Sequence, residues 1–205
     1  MNRLLLLLLA LPLLGCPPPV SDDDDDDSAV ADDDDDATPV AFAVWSPDFV
    51  EPYFDNPHDD CDQALPIENS CGNPNPEIRW EGAPEGTVAF VLIYDDPTFQ
   101  NYEHWAIYNI PGTATGLDAA ISGYGINNNP PGDAVELDNG SGFNGYLGSC
   151  PGPNAVNRYR WRLWALSEEI STPVANYAQL AGAADGVALD MVEMCHVFDG
   201  ANSDI

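Results

Sequence analysis

Short apolar runs separated by proline, glycine and asparagine fill residues 41–170, and this pattern is typical of an antiparallel β-sandwich. The strongest predicted strands cover residues 88–94, 104–110 and 158–166, with shorter ones at 41–45 and 77–80. Residues 111–156 are rich in glycine and proline and are predicted to be mostly loop. After Thr172-Pro173 the apolar period becomes helical. One helix is predicted over about residues 175–196, with an apolar face formed by Leu180, Ala184, Val187, Met191 and Met194.

The amino terminus has the pattern of a targeting segment. Residues 1–15 carry Arg3 followed by an apolar run that is too short to span a bilayer as a mature helix, which predicts a signal peptide. The run ends in Leu-Leu-Gly-Cys, which resembles the lipobox of bacterial lipoproteins and implies a lipid attached to Cys16. The alternative is a plain secretory signal with an incidental cysteine.

Residues 16–40 have a different composition from the rest of the chain. Two aspartate tracts, at 22–27 and 32–36, contain no apolar residue that could form a core, and the like charges within them repel one another. We therefore expect a disordered, solvated spacer. The folded domain is then expected over residues 41–205. This arrangement predicts an exported protein that is lipid-anchored in the bacterial cell envelope, at the outer membrane or the periplasmic face.

The charge balance excludes several classes of partner. The chain has 35 acidic residues against five basic ones, a net charge of −30, and no lysine. Nucleic-acid binding is not expected because no basic stripe is present to neutralise phosphates. Anionic lipid surfaces are disfavoured for the same reason, so membrane contact is expected through the N-terminal lipid only.

Four further cysteines, Cys61, Cys71, Cys150 and Cys195, are expected to form two disulfides, since the chain is predicted to enter an oxidising compartment. Three pairings are possible, and local spacing favours Cys61 with Cys71 and Cys150 with Cys195. Zinc is the competing interpretation. The three histidines stand in no ligand-like spacing with the cysteines, so we expect no metal site and no cofactor.

The stretch Arg158 to Leu166 gathers most of the basic residues of an acidic chain. Strand alternation places two sets of side chains on opposite faces, namely Arg158, Arg160 and Arg162 on one face and Tyr159, Trp161 and Leu163 on the other. The aromatic set is expected in the core. The arginines are expected to balance carboxylates on the sheet face, and a phosphate clamp is the alternative.

Three segments together resemble the phosphatidylethanolamine-binding protein (PEBP) family, whose members include the Raf kinase inhibitor-like proteins. They are IRWEGAPEGTVAFVLIYDDP, YEHWAIYNIP and GFNGYLGSCPGPNAVNRYRWRLWAL. They match the family's W-x-G-A-P-x-G-T, D-P-D, H-W-x-x-Y-N-I-P and G-Y-x-G-x-x-P…H-R-Y patterns in order. The resemblance covers roughly residues 41–198 and implies a PEBP-like antiparallel β-sandwich with a C-terminal helix. Because the chain ends soon after Val197, any final strand is expected to be absent or very short.

The resemblance also implies a small anion-binding pocket at one end of the sandwich. The positions that match the family's pocket motifs are Asp96, Pro97, Tyr102, His104, Tyr146, Pro151, Asn157 and Tyr159. A carboxylate is expected to orient His104 and to raise its pKa. Asp95 is expected to be solvated and outside the pocket.

Two positions depart from the family pattern. Thr98 replaces the second aspartate of D-P-D, and Asn157 replaces the histidine of H-R-Y. The two changes agree with each other, because the loss of a histidine removes the need for a carboxylate to orient it. They weaken the case for tight binding of a dianionic phosphate.

These observations favour a ligand-binding module for a small polar or anionic ligand of the phosphate or phosphoryl-headgroup class. The alternative is an interaction or inhibitor module that docks an envelope protein or hydrolase. Catalysis is not expected, because Ser149 lies outside a G-x-S-x-G motif and no triad order is present. An enzyme that uses Asp96 and His104 is the least favoured alternative.

Overall fold

The computed structural model describes residues 39–202; the predicted signal peptide, Cys16 and both aspartate tracts lie outside this range. Within it the chain forms eight strands and one α-helix. They are β1 (Ala43–Trp45), β2 (Ile78–Glu81), β3 (Ala89–Asp96), β4 (Tyr102–Pro111), β5 (Gly116–Leu117), β6 (Val135–Glu136), β7 (Val156–Leu166), α1 (Tyr177–Val187) and β8 (Ala188–Asp199). The five predicted strands correspond to β1, β2, β3, β4 and β7. The predicted loop region contains only the two-residue strands β5 and β6.

The strands form two antiparallel sheets, which confirms the predicted fold class. One sheet has the order β1-β2-β5 and the other has the order β6-β4-β3-β7-β8. A core of aromatic and aliphatic side chains, including Trp80, Phe90, Trp105 and Trp161, unites residues of the two sheets. A second core unites the large sheet with α1 through Ile93, Trp164, Leu180 and others.

The central strand β3 is buried along its whole length. One set of its side chains, such as Phe90 and Leu92, belongs to the core shared with the small sheet, and the alternate set, such as Val91 and Ile93, belongs to the core beneath α1. A strand covered on both faces needs apolar residues at successive positions. This explains why its sequence is an unbroken apolar run. It also places the two aspartates at its end, Asp95 and Asp96, in buried positions.

Strand β7 follows the predicted alternation. Tyr159, Trp161 and Leu163 are buried in the core between the sheets. The arginines on the opposite face pair with carboxylates: Arg160 and Arg162 both donate to Asp95, and Arg158 contacts Asp60 and Glu193. The expectation that they are structural counter-charges is confirmed. The expectation that Asp95 is solvated is wrong, since its side chain is only 4% exposed.

The predicted helix over residues 175–196 is wrong in its second half. Helix α1 begins after Asn176, whose side chain accepts a hydrogen bond from Gln179 N, and it ends at Val187. The rest of the segment is the twelve-residue strand β8, so the expectation of an absent or very short final strand is also wrong. Met194 and Phe198 pack in the core between the sheets, whereas Val197 packs on the other side with Cys61 and Ala64, and this alternation of faces is that of a strand.

All four cysteines of the domain form disulfides, but the favoured pairing is wrong. The bonds join Cys61 to Cys195 and Cys71 to Cys150, with Cα–Cα distances of 5.9 and 4.6 Å. Non-local backbone pairing explains this, because Ala64 bridges Val197 beside the first bond. Cys71 exchanges backbone hydrogen bonds with the 148–149 segment beside the second. Disulfides of this kind indicate an oxidising, exported environment.

Candidate functional site

An open cavity of about 730 Å³ lies where β3 ends and where β4 and β7 begin. Its lining combines strand ends with the loop that precedes β7. The lining residues are Cys71, Gly72, Asp96, Phe99, Tyr102, His104, Ser141, Leu147, Gly148, Cys150, Pro151, Gly152, Ala155, Asn157 and Tyr159. Its volume falls within the range of about 300–1,000 Å³ that is usual for small-ligand sites.

The turn between β3 and β4 forms one side of the cavity. Asp96 caps a short 3₁₀ helix, Pro97–Phe99, by accepting a hydrogen bond from Phe99 N at 3.0 Å. Gln100 and Asn101 then both adopt left-handed backbone conformations, with φ of 56° and 54°. Because these residues reverse the chain, Tyr102 and His104 return along β4 beside Asp96, and Tyr102 pairs with Asp96 in the sheet.

Another wall is the loop from Leu147 to Ala155. The Cys71–Cys150 disulfide joins this loop to the segment that contains Cys71 and Gly72. Cys71 N donates to Ser149 O at 2.9 Å, and Gly148 N donates to Cys71 O at 3.0 Å. A Cβ atom at Gly148 would lie 2.5 Å from Asn69 O, so only glycine allows this close approach. The second glycine of the G-Y-x-G motif, Gly148, is thus needed for the wall of the cavity.

Asp96 and Asn157 form a hydrogen-bonded pair inside the cavity. Asn157 Nδ2 donates to Asp96 Oδ2 at 2.6 Å. Burial raises the pKa of Asp96, while neutral donors, of which Asn157 is the strongest, act in the opposite direction. The asparagine that replaces the family's histidine therefore supplies a hydrogen bond to the carboxylate but no positive charge.

Thr98 has a structural role at the rim. Its hydroxyl donates to Arg158 O at 3.1 Å and accepts from Arg158 N at 2.9 Å. These bonds tie the turn after β3 to the start of β7. The residue that replaces an aspartate of the family pattern thus fastens the two strand ends together, and it does not line the cavity.

His104 is buried, with 4% of its surface exposed, and it lines the cavity. Its Nδ1 donates to Leu147 O at 2.9 Å, because a carbonyl oxygen can only accept. Burial lowers the pKa of His104 to about 4, although carbonyls of the loop and the charge of Asp95 act in the opposite direction. The expectation that a carboxylate orients His104 and raises its pKa is wrong: Asp96 bonds to Asn157, and a carbonyl orients the ring.

Aromatic rings surround the polar groups. Phe99 is 57% exposed, and its ring centroid lies 6.1 Å from that of Tyr102. Edge-on contacts link Tyr102 to His104 at 5.3 Å and His104 to Tyr159 at 5.2 Å. The Tyr102 hydroxyl hydrogen-bonds to Ser141 at 3.0 Å. The cavity therefore has an aromatic mouth and a buried polar end.

The structure brings six of the eight residues named from the motifs to the cavity, namely Asp96, Tyr102, His104, Pro151, Asn157 and Tyr159. The other two lie outside its lining. Pro97 begins the 3₁₀ helix, where its fixed φ suits the first position. Tyr146 is fully buried and donates to Asn69 O at 2.8 Å. Pro97 and Tyr146 therefore hold the segments that line the cavity and do not line it themselves.

Sequence reasoning missed Phe99, Ser141 and the Cys71–Cys150 disulfide as parts of the cavity lining. Phe99 carried a usable signal, because it follows Asp96-Pro97-Thr98 and is a large apolar side chain in an otherwise polar turn. Ser141 carried no such signal, since it reaches the site from a long loop without periodicity.

His196 forms a buried network with Ser149 that sequence analysis did not find. Ser149 Oγ lies 2.8 Å from His196 Nε2 and 2.6 Å from the Tyr94 hydroxyl. Trp161 Nε1 donates to His196 Nδ1 at 2.8 Å, so Nδ1 must be the unprotonated nitrogen of the neutral ring. Burial lowers the pKa of His196 well below its usual value. Nε2 therefore carries the proton and donates to Ser149, which is the reverse of what activation of a serine nucleophile needs.

Positive charge is absent from the lining of the cavity. Each arginine within residues 39–202 has a carboxylate partner elsewhere. Besides the three on β7, Arg79 pairs with Glu77 and Asp118. In the described part of the chain, no cluster of three or more His, Cys, Asp or Glu side chains is arranged to hold a metal ion. Residues 39–202 also contain no helix with the length and apolar character of a membrane span.

The sequence of this chain is similar to those of known proteins. The family model for phosphatidylethanolamine-binding protein matches residues 57–198. A UPF0098 protein from Methanothermobacter thermautotrophicus is 32% identical over 139 residues, which cover 65% of this chain and 89% of that protein. The UPF0098 protein YbcL from Escherichia coli is 37% identical over 102 residues, covering 48% of this chain and 55% of YbcL.

A solved structure agrees with the sequence comparisons. The crystal structure of E. coli YbcL, described as a new member of the mammalian PEBP family, matches with a TM-score of 0.64 and 25% sequence identity. The match covers 78% of this chain and 99% of the YbcL chain. The shared fold, the family model and the motifs around the cavity all agree, and the chain belongs to the phosphatidylethanolamine-binding protein family.

Proposed function

We propose that this chain is a small-ligand-binding module of the cell envelope, and that the cavity beside Asp96 and His104 is its binding site. The observation that carries the proposal is the convergence of buried polar groups on one open cavity of about 730 Å³. Asp96, His104 and Asn157 come from three different strand ends and meet there. Such convergence at a concave site with aromatic walls is typical of a binding pocket.

The proposal includes no chemical step. His104 is a weak general base because its pKa is lowered to about 4. The buried Ser149–His196 pair has the donor direction that opposes nucleophile activation. Binding of a small polar ligand would use the polar groups and the aromatic rings of the lining, and it requires no catalytic group.

The family resemblance implied an anion of the phosphate or phosphoryl-headgroup class. In this chain no cation lines the cavity, and Asp96 contributes a buried carboxylate. A dianionic phosphate would lie close to that carboxylate without a compensating charge. We therefore extend the candidate ligands to small polar molecules of any charge.

The envelope location rests on separate observations. The two disulfides support export to an oxidising compartment. The lipobox-like sequence ending at Cys16 supports attachment through a lipid, with the aspartate-rich segment as a spacer between the lipid and the domain. We propose that the domain is presented to soluble envelope ligands, and that the membrane contributes only the anchor.

Isothermal titration calorimetry with a panel of small ligands tests the binding proposal. The panel contains phosphate, acetate, phosphoethanolamine and n-propylammonium, which cover anion, zwitterion and cation. Gly152 lines the cavity and has open space around its Cβ position, so Gly152→Leu fills the cavity without a clash at the backbone. Gly182→Leu on α1 is the matched control, since it has equal space and lies outside the cavity. Binding of at least one compound to the wild type and to Gly182→Leu, but not to Gly152→Leu, is expected. No response to the whole panel would refute the proposed function.

A further inference from the structure

We propose that the cavity selects a small organic cation, an alkylammonium group with a short apolar body, and discriminates against anions. This inference rests on the proposed function, because it names the ligand class for the same cavity. Three features of the described residues support it: the charge balance of the lining, the hydrogen-bonding direction of its side chains and the aromatic mouth.

The charge balance is the first feature. Asp96 is the acidic residue of the lining, and neither arginine nor lysine lines the cavity. The hydrogen bonds to the Asp96 carboxylate come from Phe99 N, from Asn157 Nδ2 and from Thr98, all of which are neutral donors. Its negative charge is therefore left without a positive partner. A buried carboxylate favours a cationic partner at short range, since the low local dielectric strengthens the attraction.

The arginines cannot supply that partner in the observed arrangement. Arg160 and Arg162 both bind Asp95, which precedes Asp96 but belongs to the other face of β3. Arg158 contacts Asp60 at 3.0 Å. Successive residues of a strand point to opposite faces, so the arginine cluster and the cavity are separated by the sheet. One aspartate is neutralised and its neighbour is left for a ligand.

Hydrogen-bonding direction is the second feature. Asn157 directs its amide N–H to Asp96, and His104 directs its Nδ1–H to Leu147 O. In the neutral ring the other nitrogen, Nε2, then carries a lone pair. Asn157 and His104 have thus committed these two donors to the protein, and what remains at the Asp96 carboxylate and at His104 Nε2 are acceptors. An ammonium group has three donors and no acceptor, which is the complementary set.

The aromatic mouth is the third feature. Phe99 is largely exposed, and Tyr102, His104 and Tyr159 continue a chain of ring contacts towards Asp96. Aromatic faces attract cations and also accommodate a short alkyl chain. The faces of these rings carry partial negative charge, so they attract a cation and repel a phosphate. The overall net charge of −30 acts in the same direction, because it raises the local concentration of cations and repels anions.

Calorimetric titration of the full chain with n-propylammonium, n-propanol and phosphate at pH 7 and constant ionic strength tests the inference. n-Propanol has the same alkyl body without the charge, so it isolates the contribution of the ammonium group. We expect n-propylammonium to bind at least about tenfold more tightly than n-propanol, a difference that corresponds to one charge-assisted contact. Phosphate is expected to give no measurable heat of binding.

Asp96→Asn removes the charge and keeps an oxygen that can accept from Phe99 N, so the turn after β3 is preserved. This variant is expected to lose at least about tenfold in n-propylammonium affinity. Glu103→Gln is the matched control, because Glu103 lies close by on β4, outside the cavity lining, and loses the same unit of charge. The n-propylammonium affinity of this variant is expected to stay within about twofold of wild type, because salt screens the interaction between Glu103 and a ligand in the cavity.

Asn157→His gives a second, independent check. A histidine beside Asp96 would be protonated more readily and would neutralise the carboxylate. We expect weaker n-propylammonium binding in this variant. Unchanged n-propylammonium affinity in either Asp96→Asn or Asn157→His would overturn the inference.

The results also separate this inference from the proposed function. If phosphate binds the wild type and n-propylammonium does not, the cavity is a binding site and the assignment of ligand charge is wrong. If neither compound nor any other member of the panel binds, the proposed function fails and this inference fails with it.

Discussion

The ion cluster at Asp95 gives the sharpest stability prediction. Replacing Arg160 with Met removes two hydrogen bonds to a buried carboxylate, 2.9 Å from Nε to Oδ1 and 2.7 Å from an Nη atom to Oδ2. Met keeps most of the aliphatic stem, so the change isolates the charged group. Arg162 stays 2.7 Å from the same carboxylate and offsets part of the loss.

The magnitude follows from burial. Removing one partner of a buried ion pair costs about 3–5 kcal/mol, because the other charge is left unpaired. The remaining Arg162 contact and the 25% exposure of the Arg160 side chain reduce this figure, and we expect a loss of about 2–3 kcal/mol in the free energy of unfolding. Ligand affinity is expected to be unchanged because Arg160 does not line the cavity beside Asp96 and His104.

Urea unfolding at pH 7, followed by tryptophan fluorescence, measures this loss. Arg79→Met is the matched control, since Arg79 is itself partly exposed and its partner Asp118 is 77% exposed. The control is expected to lose less than about 1 kcal/mol. If Arg160→Met and Arg79→Met destabilise the domain equally, the argument that the Asp95 cluster acts as a buried unit is refuted.

Three further predictions concern the anchor, a disulfide and pH. Cys16→Ser is expected to release the protein from membranes, and retention of this variant after a high-salt wash would contradict lipid attachment. Replacing Cys71 and Cys150 with Ala opens a loop of 79 residues, so the free energy of unfolding is expected to fall by about 4.5 kcal/mol in the loop-entropy model; an unchanged urea midpoint would count against this bond. Because the pKa of His104 is about 4 when folded and about 6.5 when unfolded, the unfolded chain binds the extra proton between these values, and stability is expected to fall by about 3 kcal/mol as the pH drops from 6.5 to 4. His104→Asn should flatten part of that slope, and a slope identical to wild type would show that the histidine is not held neutral.

The strands were predictable because their environments leave a local pattern in the sequence. β3 is apolar at successive positions because it is covered on both faces, and β7 alternates because one of its faces carries the arginine cluster. The family motifs then located the cavity, since they mark the ends of strands that meet at one edge of the sheet. Residues 1–38 lie outside the described range, so the signal peptide, the spacer and the lipid stay predictions.

The errors arose where distant pairing decides the local structure. Residues 188–196 fit a helical period about as well as a strand period, and pairing with β7 selects the strand. The disulfides follow the same rule, since β8 brings Cys195 beside the segment that contains Cys61. The charge of the site was also hidden from sequence: Asp95 and Asp96 are adjacent, and only the fold shows that one is neutralised by arginines while the other faces the cavity.

The direct test of the central claim is the ¹⁵N chemical shift of the His104 ring nitrogens, recorded during titration of the full chain with the compounds of the panel. Nδ1 is expected to keep the shift of a protonated nitrogen bonded to Leu147 O, while Nε2 moves from its unprotonated position in a saturable way as the ligand binds. The same titration of Gly152→Leu should leave both nitrogens unmoved. If no compound of the panel shifts Nε2 in the wild type, or if the shift persists unchanged in Gly152→Leu, the cavity beside Asp96 and His104 is not the binding site.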